Sequence, residues 1–177
     1  MLKRLPLFKD RSGLAAVEFA LIAPVMIIMF VGATELSSAI DCNARVTRAV
    51  STVADLVAQE TIISTSDATN VFQAAGAILN PYAVSNAKIV VSSLSNDAAT
   101  KTIKVDWSEA QNTGRRTTPP ANIPDGILPA GSSVIYAEIT YNFTPAVTSF
   151  IGSFTLTNSF YSKPRRSTKV THALPYP

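Results

Sequence analysis

Apolar residues are concentrated at the start of this chain and become periodic further on. Residues 14–33 read LAAVEFALIAPVMIIMFVGA, in which Glu18 is the only ionisable side chain, and about 20 residues of this kind span hydrocarbon as a helix. After this run Val46, Ala49, Val50, Val53, Leu56 and Val57 recur every three or four positions, while Arg45, Arg48, Asp55 and Gln59 mostly avoid their face. The periodicity predicts an amphipathic helix continuing to about Gln59. Ser64, Thr65, Ser66 and Asp67 interrupt it and offer a cap for a second helix toward Leu79, with Asn80 and Pro81 as its stop. Strands are predicted over residues 88–94, 102–107, 133–143 and 154–161. In the second, Ile103, Val105 and Trp107 alternate with Thr102, Lys104 and Asp106, leaving one face wet; in the third, Ile135, Ala137, Ile139, Tyr141 and Phe143 alternate with Val134, Tyr136, Glu138, Thr140 and Asn142. The order predicts an α+β fold: a long N-terminal transmembrane helix continuing into an amphipathic helix packed on a small, mainly antiparallel sheet, its apolar face supplying half the core.

Charge gives the apolar run a direction. Lys3, Arg4, Lys9 and Arg11 precede it, opposed only by Asp10, and beyond residue 13 the chain carries eleven basic and eleven acidic side chains. The positive-inside bias puts the N-terminus in the cytoplasm and the C-terminal bulk across the membrane. The expected organisation is therefore a basic leader over residues 1–13, a transmembrane helix over 14–40 and one soluble α+β domain over 41–177. The high isoelectric point reflects the leader, and no Lys/Arg stripe interleaved with aromatics follows it, so nucleic acid is not an expected partner. A cleaved secretory signal is the competing reading, because Ser37 and Ala39 form a small-x-small site that would leave Ile40 first. The run is long for a signal core, however, and holds a carboxylate and Pro24. Asp41 before Cys42 does not suit lipoprotein acylation.

Glu18 is the most informative residue. A carboxylate in an apolar helix costs about 2.5 to 3.5 kcal/mol at mid-membrane and less near the interface, so it needs a partner or an interfacial position. In the run RSGLAAVEF a basic stretch ends at Gly13, the apolar helix begins at Leu14 and Glu18 is its fifth residue. A cut after Gly13 creates an α-amino cation at Leu14. In a stack of such helices that cation can approach a neighbour's Glu18 in a low-dielectric setting, where the attraction far exceeds its value in water. A misplaced subunit would bury a charge alone, so Glu18 would check axial register. Ala16 and Ala20 lie four apart and permit close helix approach. Pro24 removes a backbone donor and frees the carbonyl of Ala20, so a kink or local unwinding is expected there.

The combination of RSG, AAVEFALIAP and the apolar run resembles the type IV prepilin class, and most closely the TadE-like pseudopilins of the tight-adherence (Tad/Flp) pilus system. The features closest to TadE are Ala16, Val17, Glu18, Phe19 and Ala20 followed by Pro24, then Glu35 at the helix exit and the stretch ARVTRAVSTVADLVAQ. More diffuse similarity runs through AILNPY at residues 77–82, VDWS at 105–108 and VIYAEITYNFTP ending at Pro145. The resemblance implies a pilin-like fold, cleavage after Gly13 by a prepilin peptidase, Leu14 as the new N-terminus and Glu18 as the assembly glutamate. It further implies a bacterial inner-membrane protein with a periplasmic domain. The implied partners are other pilin or pseudopilin subunits, an inner-membrane assembly platform and the lipid bilayer. Leu14 stands where type IV pilins more usually have Phe or Met. The chain is much longer than the major Flp pilins, which suits a minor subunit.

Residue types exclude much chemistry. With one cysteine, Cys42, and one histidine, His172, a single chain can build no internal disulfide, no Cys/His zinc site and no Cys-His nucleophile pair. Cys42 reads as a small buried residue or, in the sharper alternative, as an intermolecular disulfide partner. No nucleophile elbow, zinc-helix motif or phosphate-binding loop is present, and no cofactor or metal is expected. Asp106 and Glu109 are the one closely spaced acidic pair and read as surface acids before they read as catalysts. The connection between Trp107 and Ser133, rich in Pro, Gly, Thr and Asn with Arg115 and Arg116 near its start, reads as a solvated loop. Lys163, Pro164, Arg165 and Arg166 form a basic run that could meet anionic headgroups or a partner. The expected function is that of a non-enzymatic pilus-assembly subunit, with an uncleaved signal-anchored scaffold or binding protein as the alternative and a secreted hydrolase as the reading with least support.

Overall fold

A computed structural model describes residues 12–145, 147 and 152–174. The leader predicted over residues 1–13 therefore lies almost wholly outside the described residues. One helix, α1 (Ser12–Ala58), contains both the apolar run and the amphipathic segment, and the α-helix continues unbroken past Pro24. The short strand β1 (Ile62–Ile63) and the helix α2 (Thr65–Leu79) follow. Ser64 caps α2: its hydroxyl accepts from the backbone N–H of Asp67 while the Asp67 carboxylate accepts from the backbone N–H of Ser64. This reciprocal pair satisfies donors that the first helical turn would leave orphaned. The helix stops before Asn80. Gly76 lets Val84 pack close against it, since a Cβ there would lie 3.1 Å from a Val84 methyl.

The strands β2 (Ala87–Asn96), β3 (Ile103–Gln111), β4 (Ser133–Phe143) and β5 (Phe154–Ser162) form an antiparallel sheet in the order β3-β2-β4-β5. A two-residue strand, β6 (Thr171–His172), pairs in parallel with β1. The second half of α1 packs with α2 on one sheet face. There Val46, Val50, Val53 and Val57 meet Ile89, Val91, Ile135, Ala137 and Ile139 in the main core. The alternation read along β4 holds: Ile135, Ala137, Ile139, Tyr141 and Phe143 face the helices, while Val134 and Tyr136 join a smaller cluster on the other face.

Strand β3 departs from its expected pattern. Ser93 pairs with Trp107 but Leu94 pairs with Val105, so Asp106 is bulged out of the ladder. A bulge inserts one residue and exchanges faces beyond it. Ile103 and Val105 consequently lie on the outer face, whereas Trp107 is buried in the main core and its indole N–H donates to the Val170 carbonyl at 2.8 Å. The expected single wet face of β3 is thus corrected.

The connection before β4 is largely exposed, as expected. It is nonetheless anchored: Leu128 is buried, and Ile123 and Ile127 pack with Leu94, Val134 and Tyr136 against the outer sheet face. Arg116 fixes its start by pairing with Glu138 at 2.6 Å and lying 5.3 Å over the Tyr136 ring.

Candidate functional site

The two halves of α1 have opposite surroundings. From Ala39 onward one face is buried in the head, but across the apolar run Leu14, Val17, Phe19, Leu21, Met26, Ile28, Met29 and Phe30 are all exposed. No part of the described chain covers them. A contiguous apolar surface of this length is not left in water by a soluble monomer, and the helix is long and apolar enough to cross a bilayer. It fits a single-pass membrane anchor.

Gly13, Leu14, Ala16, Glu18, Ala20 and Pro24 all lie on this uncovered helix. The structure brings no other element to them. Gly13 sits where a Cβ would meet nothing within 4 Å. Glycine costs roughly 1 kcal/mol relative to alanine inside a helix, so the fold gives no reason for glycine at this position. The same absence of contacts holds for Gly32, deeper in the run. Ala16 and Ala20 present their small face to the surroundings and not to the head.

The helix exit is where anchor and head are joined. Glu35 is only 4% exposed, and its Oε1 accepts the backbone N–H of Val147, from the connection between β4 and β5, at 3.0 Å. Beside it a cavity of about 370 Å³ is lined by residues that include Thr34, Glu35, Ser38, Tyr82, Tyr141 and Phe143. The Tyr82 hydroxyl lies 2.7 Å from the Ser38 carbonyl and 3.1 Å from an Asp41 carboxylate oxygen. Burial pushes the Tyr82 phenol up to about 12. Arg45 pairs with Asp41 at 2.8 Å and also donates to the Asn80 carbonyl, linking α1 to the end of α2. The hydrogen bond from Arg45 holds the Asp41 carboxyl below its ordinary value. Further along, Asn43 accepts from Asn158 at 3.0 Å, and Asp55 accepts from Ser162 and Arg165, each at 3.0 Å. The second half of α1 is stitched to β5 along its length.

Cys42 is fully buried, and its thiol is pushed up to about 11 chiefly by that burial. The structural reading of this cysteine therefore describes its environment better than the intermolecular disulfide does.

The acidic pair near β3 is engaged in packing. Asp106 pairs with Lys169 at 2.8 Å. Glu109 is buried and accepts from Thr65 at 3.0 Å and from Arg115 at 3.0 and 3.2 Å, with His172 Nε2 at 3.1 Å. One carboxylate thus ties together α2, the long connection and the C-terminal strand. Sequence reasoning missed this role because Arg115 and His172 lie six and 63 residues from Glu109. Among the described residues no group of three or more His, Cys, Asp or Glu is placed to hold a metal ion. The basic run has a settled place too: Arg165 pairs with Asp55, one turn before the end of α1. Twenty-five helical residues separate Ala33 from Ala58, about 37 Å at 1.5 Å per residue. That distance sets the run far from the apolar half of its own helix.

A family model described as TadE-like protein matches residues 13–55. The helix is TadE-like. The matched segment opens at Gly13, contains Glu18, Pro24 and Glu35, and stops three residues before α1 ends. It unites the uncovered apolar run with the part of α1 buried in the head. A TadE-like helix associates the chain with the Tad pilus system and, in general terms, with other pilus components. No curated protein and no solved structure matches the chain.

Proposed function

We propose that the chain is a minor pilin or pseudopilin of a Tad/Flp-type pilus, cut after Gly13 by a prepilin peptidase on the cytoplasmic side of the inner membrane. The head then stands in the periplasm, and the subunit enters or primes the pilus through its helix. The observation that carries this reading is the uncovered first half of α1. Near its start stands Gly13, a glycine the fold does not require, and the one ionisable group of its apolar run is Glu18. Cleavage supplies an α-amino cation at Leu14, and pairing of that cation with Glu18 of a neighbour both neutralises the carboxylate and sets axial register. The Ala16 and Ala20 face permits helix approach. The head acts as a rigid body carried by the helix, since the main core and the bonds of Asn43 and Asp55 to β5 join α1 to the sheet.

The role is one of assembly and not of catalysis. Its partners are the peptidase, other pilin or pseudopilin subunits and an inner-membrane assembly platform. The pairing of Asp106 with Lys169 and the burial of Glu109 support a non-enzymatic reading, because both acids are committed to holding the head together.

Gly13→Val in the native host tests the processing step. The expected outcome is an unprocessed precursor retained in the membrane. Normal maturation of this variant would reject the cleavage site and favour an uncut anchor.

A further inference from the structure

The far end of α1 stands between two flanks of opposite charge. Successive residues of a helix turn by about 100°. Arg45, Ala49 and Leu56 therefore fall on one side of the sheet-facing row Val46, Val50, Val53 and Val57, and Asn43 and Ala58 fall on the other. The first side meets α2. Arg45 reaches the Asn80 carbonyl at its end, and Leu56 lines a groove of about 330 Å³ with Glu60, Ile63, Asp67, Asn70 and Val71. The second side meets β5 and the basic run after it: Asn158 bonds Asn43, and the Arg165 backbone N–H donates to the Ala58 carbonyl at 2.8 Å. Leu56 and Ala58 are two residues apart, so groove and run stand within about 3 Å of one level along the helix.

The groove has an apolar floor and an anionic rim. Leu56, Ile63 and Val71 supply the floor, Glu60 and Asp67 carry the charge, and no basic side chain lines it. Asp67 keeps its charge, because hydrogen bonds from Ser64 hold its carboxyl below the ordinary value. A long cationic side chain suits such a groove, its methylene stem on the apolar floor and its head at the carboxylates. On the opposite flank Lys163 and Arg166 are exposed, while Arg165 is committed to Asp55. Among the described residues Glu60, Lys163 and Arg166 enter no ion pair.

Copies anchored by α1 in one membrane stand with their helices pointing the same way. A two-fold contact between them applies the same patch of both copies. It would therefore set Lys163 and Arg166 against Lys163 and Arg166, or Glu60 and Asp67 against Glu60 and Asp67, and like charges so placed repel. A head-to-tail contact joins groove to basic run and opposite charge to opposite charge.

We propose that the groove between α1 and α2 of one copy receives Lys163 and Arg166 of a second copy of this chain. Such a contact leaves a free groove on one copy and a free basic run on the other, so it repeats around a ring or along a helical fibre. It rests on the reading that subunits assemble side by side through parallel helices, and it gives the heads their own share in that assembly.

Energy transfer between full-length, uncut chains in neutral phosphatidylcholine vesicles tests it. Donor and acceptor dyes go on separate copies at Thr100→Cys, in the turn between β2 and β3, in a Cys42→Ala background. Unchanged Trp107 emission reports an intact head in every variant. The expected transfer is several-fold above that of random proximity. It falls to that level with Glu60→Lys, and equally with the pair Lys163→Glu and Arg166→Glu. Mixing the two variants should restore it, because the first keeps the basic run and the second keeps the groove. Transfer that survives both variants would place the contact elsewhere, in the transmembrane halves or another part of the head, and overturn the proposal. Absence of transfer in the parent protein would overturn it as well, as would failure of the mixture to recover. None of these outcomes depends on cleavage after Gly13, which Gly13→Val tests separately.

Discussion

Two valines on the same helix give opposite expectations when truncated. Val53 is fully buried between α1 and the sheet, whereas Val25 is 56% exposed on the uncovered half. Valine to alanine removes two carbons, each contributing about 0.8 kcal/mol when buried, so Val53→Ala loses about 1.6 kcal/mol of transfer free energy. The cavity left in a close-packed site raises the cost to about 2 to 3 kcal/mol. For a head of this size that corresponds to a fall in Tm on the order of 5 to 10 °C. At Val25 the lost methyl groups are replaced by lipid or detergent chains of the same polarity, and the head loses no packing. The assay is thermal unfolding of the full chain in detergent micelles, followed by the emission of Trp107, the sole tryptophan and a buried one. Equal shifts for the two variants, or no shift for Val53→Ala, would refute the division of α1 into a half that holds the head and a half left for other molecules.

Glu109→Ala is expected to cost about 2 to 3 kcal/mol, below the range for fully buried pairs because Arg115 stays half-exposed, while Glu109→Gln costs less because it still accepts from Thr65; denaturant titration measures both. Cys42 should resist thiol reagents at pH 8 in the folded protein and react fully in denaturant, since burial shields its thiol and pushes it up to about 11. The folded-state value of Asp41 is depressed, so its pairing with Arg45 contributes above the ordinary 3.8 and is lost as pH falls through the lower folded value; a carboxyl NMR titration should place its midpoint below 3.8. Ser64→Ala removes the N-cap of α2 and should cost about 1 kcal/mol by the same unfolding assay.

The elements whose apolar period persists over many residues could be read from the sequence. Val46 to Val57 repeat at helical spacing and end where α1 ends, and Ser133 to Phe143 alternate without a break. The cap at Ser64 and Asp67 was visible because its chemistry is local. The bulge at Asp106 was hidden, since Ile103, Val105 and Trp107 keep a perfect two-residue spacing and only pairing with Ser93 and Leu94 reveals the exchange of faces. The long connection looked solvated from its Pro, Gly and Thr content, yet three apolar residues, Ile123, Ile127 and Leu128, suffice to fold it over the sheet. Strands β1 and β6 are two residues each and carry no period at all. At the site, Gly13, Glu18 and Glu35 stood out in the sequence, but the grip of Glu35 on Val147 spans 112 residues and depends on the tertiary fold.

The central claim is that this helix is exposed by processing for assembly with other subunits. The measurement that tests it most directly is the N-terminal sequence, by mass spectrometry, of the native protein isolated from the envelope of its own host. The expected result is a chain beginning at Leu14, with its α-amino group available to a neighbour's Glu18. A chain beginning at Met1 would mean an uncut anchor, and one beginning at Ile40 would mean a secreted head without its helix; either would contradict the claim.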